Sequence, residues 1–123
     1  MRFLHVMIRV KDIEKSLRFY TELLDMNMTY TVELDDATLY YLSDEDGQTQ
    51  IELTYNHEKP VEYSHGSGYG HFAFGTKSMS DFTKKLYGMG YNYSCEPFYM
   101  QQIDSQIAFI KDPDGYQVEI IEG

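Results

Sequence analysis

Apolar and polar positions change period along this chain in an order that repeats. Residues 2–10 and 69–76 alternate or run apolar, which predicts strands. After the first, Ile13, Leu17, Tyr20 and Leu24 recur at helical spacing behind Asp12, a candidate N-cap. After the second, Met79, Phe82, Leu86 and Met89 do the same behind Ser78, with Asp81 three positions on in a capping-box arrangement. Three short strands are predicted to complete each half, at 28–33, 37–43 and 48–55, then at 91–95, 105–111 and 116–122. The turns Asp44-Glu45-Asp46-Gly47 and Asp112-Pro113-Asp114-Gly115 divide the last two strands of each set. The expected order is β-α-β-β-β, twice, in an α+β class. The modules are about 1–56 and 68–123, with 57–67 as a linker rich in Gly, Ser, His and charge.

A direct alignment of the halves supports a duplication. His5-Val-Met-Ile-Arg-Val-Lys11 aligns with His71-Phe-Ala-Phe-Gly-Thr-Lys77 at an offset of 66. Gln50-Ile51-Glu52-Leu53 aligns with Gln117-Val118-Glu119-Ile120 at an offset of 67. A histidine is thus followed by a glutamate 47 residues later in one half and 48 in the other. Strand side chains alternate faces. This alternation sends Leu4, Val6, Ile8, Val10, Ile51, Leu53 and Tyr55 toward the first helix, and His5, Met7, Arg9, Gln50, Glu52, Thr54 and Asn56 to the other face. The second half follows suit, with His71 and Glu119 opposite Phe72, Phe74, Val118 and Ile120.

A single strand histidine or glutamate is ordinarily structural or solvated. Drift does not preserve the same two ligand-type residues, at matched parity, in both copies of a repeat. That recurrence singles out His5, Glu52, His71 and Glu119. Two neutral imidazoles and two carboxylates suit Zn, Ni, Co, Fe or Mn. Four protein ligands close a tetrahedral zinc, whereas a six-coordinate ion keeps two adjacent positions open. A catalytic centre built on this set therefore favours nickel or cobalt over zinc.

Composition narrows the rest. The chain has 123 residues, one ordinary domain's worth, with 42% hydrophobic and 24% charged residues. Its formal charge of −10 argues against nucleic acid and anionic lipid as partners. One cysteine, Cys95, excludes an internal disulfide framework and reads as a small buried filler. No apolar run reaches the length of a membrane span, and the N-terminus reads as a strand rather than a signal peptide. A cytoplasmic enzyme or binding domain is expected. His57 and His65 are expected to be solvated, and the 12 tyrosines show no stacking pattern.

The chain resembles glyoxalase I of the vicinal oxygen chelate superfamily, in its short bacterial form. The pieces that carry the resemblance are Phe19-Tyr-Thr-Glu-Leu-Leu-Asp-Met26, Ile51-Glu-Leu-Thr-Tyr-Asn56, Gly68-Tyr-Gly-His71 and Ala108-Phe-Ile-Lys-Asp-Pro-Asp-Gly-Tyr116. The resemblance implies paired β-α-β-β-β modules whose sheets curl around a metal, and commonly a homodimer. It implies isomerisation of the hemithioacetal of methylglyoxal and glutathione, or another small thiol, to an S-lactoyl thiol. By the same carry-over His5, Glu52, His71 and Glu119 bind the metal, Glu119 is the base, and Arg9 and Asn56 hold the thiol. Near Ser67 and near Gln101 and Gln102, where relatives often carry Arg or Lys, this chain has neither, which leaves the thiol's identity open. Methylmalonyl-CoA epimerases, thiol transferases, extradiol dioxygenases and metal-free drug-sequestering proteins share the fold. The transferases and dioxygenases use three ligands, and the sequestering proteins lack the ligand set.

Overall fold

A computed structural model describes residues 1–58, 60 and 62–123. Residues 59 and 61 of the predicted linker lie outside the described residues. The chain divides into two compact units, Met1–Ser64 and His65–Gly123.

The first unit runs β1 (Val6–Arg9), α1 (Ile13–Leu17), β2 (Asn27–Glu33), β3 (Ala37–Ser43) and β4 (Gln50–Asn56). Its sheet has the order β1-β4-β3-β2, with β1 parallel to β4 and the other pairs antiparallel. Asp12 caps α1 by accepting from the Lys15 amide at 3.1 Å, as the pattern predicts. Beyond Leu17 the expected α-helix becomes a π-helical stretch, Arg18–Leu23, and Leu24 N–H donates five residues back to Phe19. Adjacent residues on an α-helix diverge by about 100°, so the neighbouring rings of Phe19 and Tyr20 could not share one narrow stripe. The widened turn accompanies complete burial of both, with Leu23 beside them. Ile8, Val10, Met26, Ala37, Tyr41, Leu42, Ile51 and Leu53 are buried with them.

The second unit repeats the plan: β5 (His71–Thr76), α2 (Met79–Gly88), β6 (Cys95–Met100), β7 (Ser105–Lys111) and β8 (Gln117–Glu122). Its order is β5-β8-β7-β6, again with one parallel pair, β5 with β8. Ser78 caps α2 by accepting from the Asp81 amide at 3.1 Å. Met79, Phe82, Leu86, Ile107, Ile110, Val118 and Ile120 are buried. The predicted β-α-β-β-β order therefore holds in both units.

Three details depart from the expectation. The strand predicted at 91–95 lies at Cys95–Met100, because residues 90–94 finish the helix instead. Gly90 takes a positive φ of 85°, and Tyr91 N–H returns to Leu86 at 3.0 Å. The Tyr93 hydroxyl bonds Thr83 at 2.7 Å. Second, β1 is shorter than predicted, and Leu4 and Val6 are exposed where the parity argument buries them. Third, Cys95 is exposed on the edge strand β6, where Pro97 and a register irregularity interrupt the pairing.

Candidate functional site

Each unit brings one imidazole and one carboxylate into contact. In the first, His5 immediately precedes β1, and β1 pairs with β4 so that Met7 faces Glu52. His5 Nε2 lies 3.2 Å from Glu52 Oε1. In the second, His71 opens β5 beside β8, and its Nε2 lies 3.0 Å from Glu119 Oε2. The parallel pairing of the first and last strands is what makes residues 47 and 48 positions apart into neighbours. The glutamates are the more sheltered members, with side chains 10% and 16% exposed against 33% and 43% for the histidines.

These distances suit a shared divalent ion. Two ligand atoms about 2.1 Å from one metal, at right angles, stand about 3.0 Å apart. Each couple thus has the donor chemistry and the spacing of two adjacent ligands. Among the described residues no group of three or more His, Cys, Asp or Glu able to hold a metal occurs. Each couple supplies half of the expected set.

The surroundings of the two glutamates differ. Tyr41 Oη donates to Glu52 Oε1 at 2.7 Å and Thr54 Oγ1 donates to Glu52 Oε2 at 2.7 Å. The hydrogen bond to Glu52 pushes the Tyr41 phenol up to about 12, with burial adding to it, so the hydroxyl remains a donor at neutral pH. The Tyr41 ring stands edge-on to His5 at 5.4 Å and stacks on Tyr30 at 4.3 Å. Neither tyrosine was singled out by sequence, and the expectation of no tyrosine stacking is corrected here. Thr54 shares the parity of Glu52 and was legible as a neighbour. Tyr41 required the register of β3 on β4.

The remaining sequence candidates are placed as follows. Arg9 is exposed at the end of β1, in register with Thr54. Asn56 ends β4, and its Oδ1 accepts from the Tyr63 hydroxyl at 3.2 Å. His57 is exposed as expected, although its Nε2 lies 3.1 Å from Thr38 Oγ1. His65 is not solvated as expected. Its ring stacks on Tyr116 at 4.0 Å, against the Asp-Pro-Asp-Gly turn, and its Nε2 is buried without a hydrogen-bond partner among the described residues. The flat Tyr116 face offers a stacking partner that a free linker histidine would lack.

That turn carries the strand bearing Glu119. Asp112, buried, accepts from the amides of Asp114 and Tyr116 at 2.9 Å each, and Gly115 takes a φ of 86°. Nearby, burial pushes the Tyr69 phenol up to about 12, helped by the negative charge of Asp112.

Known proteins share both the sequence and the architecture. The family described as Glyoxalase/Bleomycin resistance protein/Dioxygenase superfamily matches residues 2–120. A lactoylglutathione lyase of Haemophilus influenzae is 38% identical over 99% of this chain and 93% of its own length. The crystal structure of glyoxalase I from Zea mays superposes with a TM-score of 0.88 at 30% identity, covering 99% of this chain but only 44% of the longer maize chain. A trypanothione-dependent glyoxalase I of Leishmania major superposes with a TM-score of 0.79 at 33% identity, over 99% and 86% of the two chains. The doubled β-α-β-β-β plan, its paired His–Glu couples and these likenesses agree: the chain belongs to the glyoxalase/bleomycin resistance protein/dioxygenase superfamily, among the relatives of the bacterial lactoylglutathione lyases.

Proposed function

We propose that this protein is a metal-dependent lactoylglutathione lyase of the glyoxalase I type. It isomerises the hemithioacetal of methylglyoxal and a small thiol to the S-lactoyl thiol and so removes methylglyoxal. The observation that carries the reading is the pair of His–Glu contacts, 3.2 Å and 3.0 Å, each with the spacing of adjacent metal ligands. The full-length similarity to proteins named lactoylglutathione lyase supports the same activity.

His5, Glu52, His71 and Glu119 would hold the ion as a four-ligand centre. A divalent metal bound there supplies Lewis-acid stabilisation of the negative charge that develops on the substrate's oxygens. Glu119 takes the proton from the carbon bearing sulfur and returns it to the adjacent carbon, the former carbonyl. A carboxylate held beside the reacting carbon typically contributes 10²–10⁴-fold to such a transfer. Glu52 would serve as a ligand only. Nickel or cobalt is the proposed occupant, because four ligands of this kind leave a six-coordinate ion with open positions and close a tetrahedral zinc.

Arg9 and Asn56 are proposed to receive a carboxylate of the thiol substrate, one by charge and one by its amide. Glutathione is the thiol named for the bacterial relatives. The Leishmania relative depends on trypanothione, so thiol choice varies within the family. With a net charge of −10 and a single matching arginine, this chain favours a thiol less anionic than glutathione. We further propose a cytoplasmic homodimer. The edge strand β1 beside exposed Leu4 and Met7 offers an edge, unpaired among the described residues, that another chain would cover.

The test is a rate assay with methylglyoxal and a panel of thiols on protein reloaded separately with Ni, Co, Mn and Zn, beside metal analysis of the purified chain. S-lactoyl thiol formation with nickel or cobalt exceeding that with zinc is the expected result. Protein that takes up no stoichiometric metal and turns over none of the hemithioacetals would instead be a binding protein, and the reading would fail.

A further inference from the structure

The two couples occupy matching positions, yet their carboxylates are held differently. Across β3 and β4, Glu52 is in register with Tyr41; across β7 and β8, Glu119 is in register with Phe109. The two rings are placed alike. Tyr41 stands 5.4 Å from His5 at 80°, and Phe109 stands 5.4 Å from His71 at 82°. The halves therefore share the aromatic frame and differ by one hydroxyl. Two residues further along the same strand face, Glu52 meets Thr54, whereas Glu119 meets Ile121. A second hydroxyl is present in one half and missing from the other.

The consequence is a difference in freedom. Oε1 of Glu52 accepts from Tyr41 and touches His5, while Oε2 accepts from Thr54. With both oxygens anchored, the carboxylate cannot rotate or withdraw without breaking two hydrogen bonds of 2.7 Å in a buried setting. Glu119 has His71 as its one polar partner among the described residues, and aromatic and aliphatic side chains flank it.

We infer that Tyr41 and Thr54 are positioning residues that make Glu52 the fixed ligand, and that Phe109 and Ile121 leave Glu119 free to serve both as ligand and as proton carrier. The inference rests on the metal-dependent reading above. It explains how one duplicated couple acquired two roles: the ligand residues stayed the same and the hydroxyls around them diverged. Hydrogen-bonding partners of metal ligands are typically worth 10–100-fold in affinity or activity.

Two reciprocal changes test it, each read by nickel affinity in competition with a chelator and by kcat and KM on nickel-loaded protein. The variant carrying Tyr41→Phe and Thr54→Val keeps both shapes and loses both hydroxyls. Its nickel affinity is expected to fall about 10–100-fold, with kcat returning to within a few-fold of the parent at saturating nickel. Phe109→Tyr places a hydroxyl against Glu119 as Tyr41 places one against Glu52. It is expected to keep or tighten nickel binding while lowering kcat at least about tenfold at unchanged KM. A purely structural role for the hydroxyls would change thermal stability and leave this split absent. Parent protein that binds nickel and turns over, with both variants matching it, overturns this inference alone. Parent protein that binds no nickel overturns the metal reading and this inference with it. Should the double variant fold poorly, Tyr41→Phe alone and Phe109→Tyr decide between the same outcomes.

Discussion

Asp112 holds the turn that leads into the Glu119-bearing strand. The residue is 4% exposed, and its carboxylate accepts two amides, Tyr116 N–H in a buried setting and Asp114 N–H in a partly buried one. Asp112→Ala removes the acceptor and leaves both donors behind. A buried orphaned donor costs about 1–3 kcal/mol, and hydrogen bonds to a charged acceptor lie in the upper part of that range. Tyr116 N–H should then cost about 2–3 kcal/mol, and Asp114 N–H, which water reaches more easily, about 1 kcal/mol. The total is about 3–4 kcal/mol, a large share of the 5–15 kcal/mol that holds an ordinary domain together. Urea unfolding followed by tyrosine fluorescence measures the loss as a midpoint shift at constant slope. Asp112→Asn keeps an oxygen at the same place and should recover at least half of the loss. An alanine variant within about 1 kcal/mol of the parent would show that the turn is held by its backbone bonds, Asp112 N–H to Tyr116 and Gly115 N–H to Asp112, and not by the side chain.

Other expectations are equally specific. Glu119→Gln should lower kcat by about 10²–10⁴-fold while much of the nickel affinity survives, as steady-state rates and chelator competition together would show; near-parental turnover would remove Glu119 from the base role. Arg9→Ala should raise KM for the hemithioacetal more than it lowers kcat, and an unchanged KM would free Arg9 of any part in holding the thiol. Tyr69, with its phenol raised from 10.0 to about 12, holds its proton in the folded chain after the unfolded chain has lost it. Its contribution to stability is therefore intact below pH 10 and disappears as the pH climbs from 10 toward 12. Urea midpoints at pH 9 and 11 should show a smaller alkaline loss in Tyr69→Phe than in the parent, and an equal loss in both would contradict the assignment.

Much of the candidate site was legible in sequence because its logic is local. Strand alternation has a period of two, so His5 and Glu52 in one half, and His71 and Glu119 in the other, could be assigned faces from numbering alone. The duplication then paired them, since the same order of elements must place the first strand of each half beside its last. Cap residues were equally readable: Asp12 and Ser78 bond amides three positions away.

What the sequence left open depends on contacts between segments distant along the chain. The π-helical turn after Leu17 follows from how Phe19 and Tyr20 are buried, and the shift of β6 to Cys95–Met100 from how residues 90–94 close α2 against Thr83. His65 stacks on a tyrosine 51 positions away in the chain, which no local pattern announces. Above all, Tyr41 meets Glu52 only through the register of β3 on β4. A slip of one residue would turn that hydroxyl to the opposite face. Sequence by itself singled out the recurring histidine and glutamate candidates and the faces on which they stand, because periodicity and duplication are written residue by residue. Tertiary structure alone decided which carboxylate is anchored and which is left free, because hydrogen bonds between strands depend on pairing that no single segment specifies.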